Sequence, residues 1–170
     1  MVSRAPLKIP KKLKQVTLRV HPDGTVIGSF FLSHHRKRTS GAEEPIDVLN
    51  QSHPFVVVQR EEPNELRFYN KASIVRVEYD EEFAPQLDNI RPLYCRLHMM
   101  DGSLIDGCIR RPLPPDHARL SDYLNLTEER FIRMHTKDGQ LWLVNKSYIV
   151  YVTPLDEHMQ PSLSDVDGDA

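Results

Sequence analysis

The sequence predicts an all-β protein made of two tandem five-stranded small barrels that arose by internal duplication. Two observations carry this prediction. Apolar and polar residues alternate over short stretches, as in Val16, Leu18 and Val20, and a period of two is typical of strands with one buried face. Residues 66–77 and 141–152 are identical at six of twelve positions, which indicates a repeat.

The repeat divides the chain into five segments. Asp47 and Asn50 correspond to Asp122 and Asn125, and they extend the match upstream. We expect a basic extended arm (1–15), a first barrel (16–78), an acidic linker (79–93), a second barrel (94–153) and an acidic disordered tail (154–170).

The strands of each copy follow one order. A hairpin opens the copy at an Asp-Gly turn, a third strand follows a long loop with one short helical turn, and two further strands flank an Asn-Lys turn. In the first copy these strands are expected near 16–20, 26–32, 55–59, 66–69 and 74–77; in the second, near 95–99, 104–109, 131–135, 141–144 and 149–152.

Closure into barrels is expected because five short strands make a poor flat sheet with two free edges. Curling buries one side of every strand and shortens those edges. The residues expected to face inward are Leu18, Val20, Ile27, Phe55, Val57, Leu66, Phe68, Ile74 and Val77 in the first copy, and Leu97, Met99, Ile109, Phe131, Leu141, Leu143, Ile149 and Val152 in the second.

Composition excludes several classes of protein. The sequence has no run of 18 apolar residues, so no membrane span is predicted. Two cysteines are too few for the disulfide framework of a small secreted protein. With 22 Lys and Arg against 24 Asp and Glu the chain is nearly neutral, although its first 40 residues hold nine bases against one acid. The start has no apolar stretch typical of a secretory signal, so a cytoplasmic location is expected.

Several repeated residues resemble the motifs of the Sm-like small barrels of RNA-associated proteins. The resemblance rests on a Gly in the second strand, an Asp and an Asn before the third, and a polar turn before an Ile-containing fifth strand: Gly28 and Gly107, Asp47 and Asn50 with Asp122 and Asn125, and Asn70-Lys71 with Asn145-Lys146. It implies an Sm-like or SH3-like barrel fold and a possible RNA-binding role. A looser similarity is to bacterial proteins of unknown function with the same Asp-x-Leu-Asn and Asn-Lys pattern.

The two Asn-Lys turns have two interpretations. Lys71 and Lys146 can hold a phosphate while Asn70 and Asn145 hydrogen-bond a base or a partner. Alternatively, the pairs are turn chemistry, with Asn setting the backbone and Lys pointing to water. The repeated Asp-x-Leu-Asn has a structural interpretation of the same kind, in which the Asp caps a helical turn, the Leu plugs the barrel end and the Asn ends the turn.

The loop after the second strand is basic. Arg36, Lys37 and Arg38 follow two adjacent His residues, and the interpretations are a solvated loop or contact with an anionic partner. No third potential ligand follows or precedes the two His residues at a spacing typical of zinc sites, so no metal site is predicted.

Aromatic residues of the second copy replace polar ones of the first. Trp142, Tyr148 and Tyr151, with Tyr79, are candidates for a partner-contact patch. The alternative is that they pack against the other barrel.

No catalytic constellation, glycine-rich phosphate loop or cofactor motif is present in the sequence, so we expect no enzyme activity and no cofactor. The first functional hypothesis is an adaptor or assembly protein that binds a protein partner, or itself, through barrel edge strands. The alternative is binding of RNA or single-stranded nucleic acid through the basic arm, the loop at 34–38 and the Asn-Lys turns. A third hypothesis is a sensor in which Arg110, Arg111 and Arg119 gather a small anion.

Overall fold

The computed structural model describes residues 11–34, 41–80, 90–111 and 119–155. Most regular structure within these ranges is β-strand, which confirms the all-β class. The strands are β1 (Lys11–Val20), β2 (Gly24–Ser33), β3 (Phe55–Arg60), β4 (Leu66–Asn70), β5 (Ile74–Tyr79), β6 (Leu93–Met99), β7 (Leu104–Ile109), β8 (Phe131–Thr136), β9 (Leu141–Asn145) and β10 (Ile149–Pro154). Helices α1 (Pro45–Asn50) and α2 (Leu120–Leu124) and the 3-10 turns Lys71–Ser73 and Lys146–Tyr148 connect them. Neither of these helices is long enough to cross a membrane.

The two predicted hairpins are present, and glycine makes their turns possible. β1 pairs with β2 from Lys11 opposite Ser33 to Val20 opposite Gly24. Gly24 has a φ of +87° and Gly102, in the β6–β7 turn, a φ of +83°. L side chains rarely adopt this conformation. β1 begins at Lys11, so it includes five residues that the sequence assigned to the extended arm.

All ten strands form one antiparallel sheet. Its order is β10-β6-β7-β8-β9-β5-β1-β2-β3-β4. The first half of the described chain (residues 11–80) and the second half (90–155) have the same internal order, and β5 of the first half pairs with β9 of the second. The sheet does not close. Two separate closed barrels are therefore not confirmed, because the pairing of β5 with β9 makes the halves one sheet that ends at β4 and β10.

Each half has its own hydrophobic cluster, and the first cluster includes two residues of the second half. Phe131 and Leu143, on β8 and β9, are fully buried in the cluster of the first half. Their strand neighbours Ile132 and Val144 belong to the cluster of the second half. Successive residues of a strand point to opposite faces. β8 and β9 are therefore buried on both faces.

The predicted inward set is correct for the first strand of each copy and wrong for part of the first half. Leu18, Val20, Leu97 and Met99 are buried, but four predicted core residues are about half exposed or more. For three of these four, a neighbour along the chain is buried instead, namely Val26, Val56 or Tyr69. The exposed residues are Ile27 (48%), Phe55 (53%), Leu66 (54%) and Phe68 (69%). Val57, Ile149 and Val152 are only half-buried. Phe131, Leu141 and Leu143 are buried as predicted, although Phe131 and Leu143 lie in the core of the other half.

The glycine shared by the second strands has a packing role. A Cβ on Gly107 would lie 2.3 Å from the His135 carbonyl oxygen, and a Cβ on Gly28 would lie 2.7 Å from that of Gln59. Both distances are too short for real atoms. The glycines therefore allow the second strand of each half to lie close to the third.

Several sequence predictions lie outside the described residues. These are most of the basic arm (1–10), the loop residues Arg36, Lys37 and Arg38, most of the acidic linker (81–89) and nearly all of the acidic tail (156–170).

Candidate interaction site

Strands β5 and β9 join the two halves through four antiparallel residue pairs, beginning with Arg76 opposite Val144. The guanidinium of Arg76 lies over the ring of Trp142, 4.3 Å from its centroid, and its Nε donates to Glu78 at 2.7 Å. A cation over an indole face is attracted by the ring. Trp142, a predicted partner-contact residue, therefore contacts the other half of its own chain, which agrees with the alternative interpretation of the aromatic residues.

The Asn-Lys turns are built alike in both halves. The Asn70 Oδ1 accepts the Ala72 N–H at 3.0 Å, and the Asn145 Oδ1 accepts the Ser147 N–H at 3.0 Å. Each Asn thereby caps the 3-10 turn that leads into the fifth strand of its half. This much is the turn chemistry expected from the sequence.

The two asparagines differ in what their amide groups contact. Asn145 is fully buried, and its Nδ2 donates to the carbonyl oxygens of Lys71 at 3.2 Å and Ile74 at 2.9 Å, across the junction. Asn70 is exposed at the edge of the sheet, and its Nδ2 has no acceptor among the described residues. Asn145 is therefore a junction residue, whereas Asn70 presents the same amide to the outside.

The lysines of the turns do not point to water. Lys71 is 1% exposed and its Nζ donates to the Gln51 carbonyl oxygen at 2.9 Å. Burial, together with the charge of Arg130, lowers the pKa of Lys71 to about 8. Lys146 Nζ donates to the carbonyl oxygens of Leu124 at 3.2 Å and Leu126 at 2.6 Å, and burial lowers its pKa too.

These contacts tie each turn to the end of the short helix of its half or to the residues that follow it. A phosphate at either turn would have to displace them. They therefore favour a structural role for both lysines over the nucleic-acid role.

The aspartates of the Asp-x-Leu-Asn motifs begin the helices in a different way from the one predicted. The asparagines end the helices as predicted, since α1 ends at Asn50 and α2 is followed directly by Asn125. Asp47 is the third residue of α1 and accepts the backbone N–H of Glu44, the residue that caps the helix, at 2.8 Å. Asp122 does the same for Arg119 in α2 at 3.1 Å. The aspartates thus accept from the backbone of the capping residue and are not the cap itself. Leu49 is buried as expected of a plug.

Asn50 has a role that the sequence did not indicate. Its Nδ2 donates to the Phe131 carbonyl oxygen at 3.1 Å, and its Oδ1 accepts the Phe131 N–H at 2.8 Å. Asn50 thus pairs with the first residue of β8 in the other half. Asn125, at the matching position of the second half, donates only within its own helix, to the Ser121 carbonyl oxygen at 2.8 Å.

Two further contacts cross the junction. Arg133 forms an ion pair with Glu44 at 2.6 Å, and the Tyr148 hydroxyl donates to the Ala72 carbonyl oxygen at 2.9 Å. Tyr148, like Trp142, was a candidate for partner contact and lies at the junction. Tyr151 does not: it is 56% exposed on β10 and stacks on His98 with 3.9 Å between ring centroids.

Strand β4 is one open edge of the sheet formed by the described residues. The Lys71 N–H bonds to Pro54 and the Glu65 carbonyl to Arg60, so the odd-numbered residues of β4 bond toward β3. Because antiparallel strands alternate their bonding direction, the even-numbered residues direct their backbone groups outward. The side chains of Leu66 and Phe68 on this strand are exposed.

Strand β10 is the other open edge. The Leu155 N–H bonds to Tyr94 on the inner side, so by the same alternation Val152 and Pro154 direct their backbone positions outward. Val150 and Tyr151 are 60% and 56% exposed. An edge strand with free backbone groups and exposed apolar residues is a template for pairing with another chain.

Metal, thiol and anion sites have little support in the described part of the chain. No three His, Cys, Asp or Glu side chains there come together as metal ligands. Cys95 and Cys108 are buried free thiols, and burial raises the pKa of Cys95 to about 12, which keeps it protonated and unreactive. Of the three arginines proposed to gather an anion, Arg111 is already paired with Glu129.

Comparison of the chain with protein-family models, with curated proteins and with solved structures finds no significant match.

Proposed function

We propose that the protein is a non-enzymatic assembly protein of the cytoplasm that binds a protein strand at the open edges β4 and β10. One observation carries the proposal: a ten-stranded sheet ends on two strands that have unpaired backbone groups and exposed apolar side chains. Addition of a strand would satisfy those groups and cover Leu66 and Phe68 on one side and Val150 and Tyr151 on the other.

The contacts of the Asn-Lys turns support the assembly hypothesis over the nucleic-acid alternative. Lys71 and Lys146 both donate to carbonyl groups of their own half. Asn145, which directly precedes Lys146, stabilises the junction between β9 and β5. Within the described residues the recurring polar motif thus makes contacts inside the protein, and at Asn145 it helps to join two strands.

A matched pair of variants tests this function. Leu66 lies on the edge strand β4 and is 54% exposed, whereas Leu104 lies on β7 between two paired strands and is 55% exposed. Tagged full-length protein is cross-linked in its own cells, purified and mapped by mass spectrometry. We expect cross-links from β4 to a polypeptide that are lost in Leu66→Asp and kept in Leu104→Asp. Cross-links that are absent from both edges, or equally lost in the two variants, would overturn the proposal.

A further inference from the structure

We infer that the occupant of each open edge is a second copy of this chain, with β4 of one copy paired to β10 of the next as β9 is paired to β5 within the chain. The inference rests on the proposed function and names the partner of its edges. It follows from the correspondence between the halves: β4 corresponds to β9 and β10 to β5, so the two open edges correspond to the two strands already joined.

Burial of corresponding residues supports this pairing on the β4 side. Phe131, Leu141 and Leu143 are 0%, 2% and 0% exposed at the internal junction. The matching residues of the first half are Phe55, Leu66 and Phe68, which are 53%, 54% and 69% exposed. The same three apolar positions are thus covered in one half and uncovered in the other, as expected of a contact surface without its partner.

The β10 side shows the complementary gap. Leu49, Ile74 and Val77 are fully buried in the first cluster, which Phe131 and Leu143 help to fill. Their counterparts Leu124, Ile149 and Val152 are only half-buried in the second cluster. The second cluster lacks the two apolar side chains that the first receives from the other half. Phe55 and Phe68 of a neighbouring copy would supply them.

Polar groups of the junction also have free counterparts. Asn145 donates to the Lys71 and Ile74 carbonyls. Asn70 is exposed and, between copies, would reach the carbonyls of Lys146 and Ile149. Its amide would then be satisfied in the same way, by backbone acceptors of the next molecule.

If two copies pair in the register of the internal junction, a cation and an aromatic ring meet again, but each lies on the other strand of the pair. Arg76 lies over Trp142 inside the chain. The corresponding residues are Tyr151 for Arg76 and Arg67 for Trp142. A cation again meets an aromatic ring, with the cation now on β4 and the ring on β10.

Several differences make the junction between copies weaker than the internal one. The Tyr148 hydroxyl bond to Ala72 has no counterpart, because Ser73 stands at the matching position. The Arg133–Glu44 ion pair has no counterpart, because the matching residues are Val57 and Arg119. Pro154 stands where Tyr79 stands in β5, and it has no N–H to donate at the outer edge. The association should therefore depend on protein concentration. Because each copy carries one edge of each kind, copies would join head to tail.

The test is sedimentation or light scattering of the full chain over about a hundredfold range of concentration. We expect the mean mass to rise with concentration for the wild type and for Leu104→Asp, and to stay near that of the monomer for Leu66→Asp. Tyr151→Arg should weaken association because it places two arginines together. Adding Arg67→Trp to that variant rebuilds the Arg76–Trp142 pair between copies and should restore association.

Other results separate this inference from the proposed function. A wild-type monomer at every concentration, or cross-links that join β4 to β4, would overturn pairing of β4 with β10. If Leu66-dependent cross-links to another polypeptide persisted in that case, strand addition would stand and only the identity of the partner would be wrong. Circular dichroism and thermal unfolding of each variant establish that a loss of mass reflects the edge and not misfolding.

Discussion

The Asn145 side chain donates to the Ile74 carbonyl oxygen at 2.9 Å, so the last residue of β9 holds the first residue of β5 in the other half of the chain. The Asn145 side chain is fully buried. A motif that recurs in both halves thus has a second role in one of them, since Asn70 caps its turn in the same way without crossing a junction.

Replacement of this asparagine should separate the two roles. Asn145→Ala removes the turn cap and both junction hydrogen bonds. The Lys71 carbonyl keeps the Ile74 N–H as a donor, but the Ile74 carbonyl loses its buried Asn145 donor, and a buried group left without its partner typically costs about 1–3 kcal/mol. Asn70→Ala removes only the cap and is the matched control. Urea unfolding at low protein concentration should show the larger loss of free energy for Asn145→Ala. Equal losses would mean that the junction bonds contribute nothing.

Lys71 makes a prediction in alkaline solution. Burial lowers its pKa from 10.5 to about 8, so between those pH values the unfolded chain binds a proton that the folded chain has released. The free energy of unfolding should therefore rise with pH in this window, by up to roughly 3 kcal/mol. Lys71→Met should lack this rise. The measurement is the difference between the pH profiles of the two proteins, in which other titrating groups cancel, and parallel profiles would contradict the prediction.

Asp106 makes a prediction in acid, where the free energy of unfolding should again rise with pH. Its oxygens accept from Arg96 at 2.6 and 2.8 Å and from Lys137 at 3.1 Å, and these partners, Arg96 first, lower its pKa to about 2. Its contribution is present above the ordinary carboxyl pKa of 3.8 and is lost as pH falls toward 2.

Asp106→Asn should thus destabilise the protein by about 1–2 kcal/mol at neutral pH, a value reduced for the partial exposure of Arg96. The difference from the wild type should vanish near pH 2. Asp138→Asn, on the β8–β9 turn, is the control. A difference for Asp106→Asn that is independent of pH would show that packing, and not charge, is responsible.

The close approach of β7 to β8 should make Gly107 intolerant of alanine. The added Cβ would lie 2.3 Å from the His135 carbonyl oxygen, a backbone atom that cannot move aside alone. Overpacking of this kind costs about 1–3 kcal/mol. Gly28→Ala, in which one of the two closest atoms is a side-chain carbon of Val58, should cost less. Chemical unfolding of both variants ranks them, and the reverse order would be incompatible with these packing distances.

Local features of the fold were predictable because they depend on neighbouring residues. The hairpins follow from alternating apolar residues around Asp-Gly turns, and Gly24 and Gly102 adopt the backbone conformation that such turns require. The strand order within each half follows the order of the repeat. The structural interpretation of the Asn-Lys turns agrees with the cap at Asn70, although burial of the Lys71 ammonium group was not foreseen.

Burial of the third and fourth strands was not predictable in the same way. Alternation shows which residues share a face of a strand, but not whether that face meets anything. Phe68 and Leu143 occupy matching positions in matching strands, yet one is 69% exposed and the other 0%. The difference is the neighbour: β9 lies beside β5, and β4 lies at the end of the sheet.

The sequence alone determined the all-β class, the turns, and the equivalence of residues 66–77 with 141–152, because propensity, glycine conformation and periodicity act over a few residues. Only the tertiary structure decided that β5 pairs with β9 and that Asn50 and Asn145 reach across to the other half. Those contacts join residues more than 60 positions apart. The tertiary structure also decided that β4 and β10 have no further strand beside them among the residues described. Backbone groups that pair strands are the same in every residue except proline, so no local pattern specifies which edge a strand will meet.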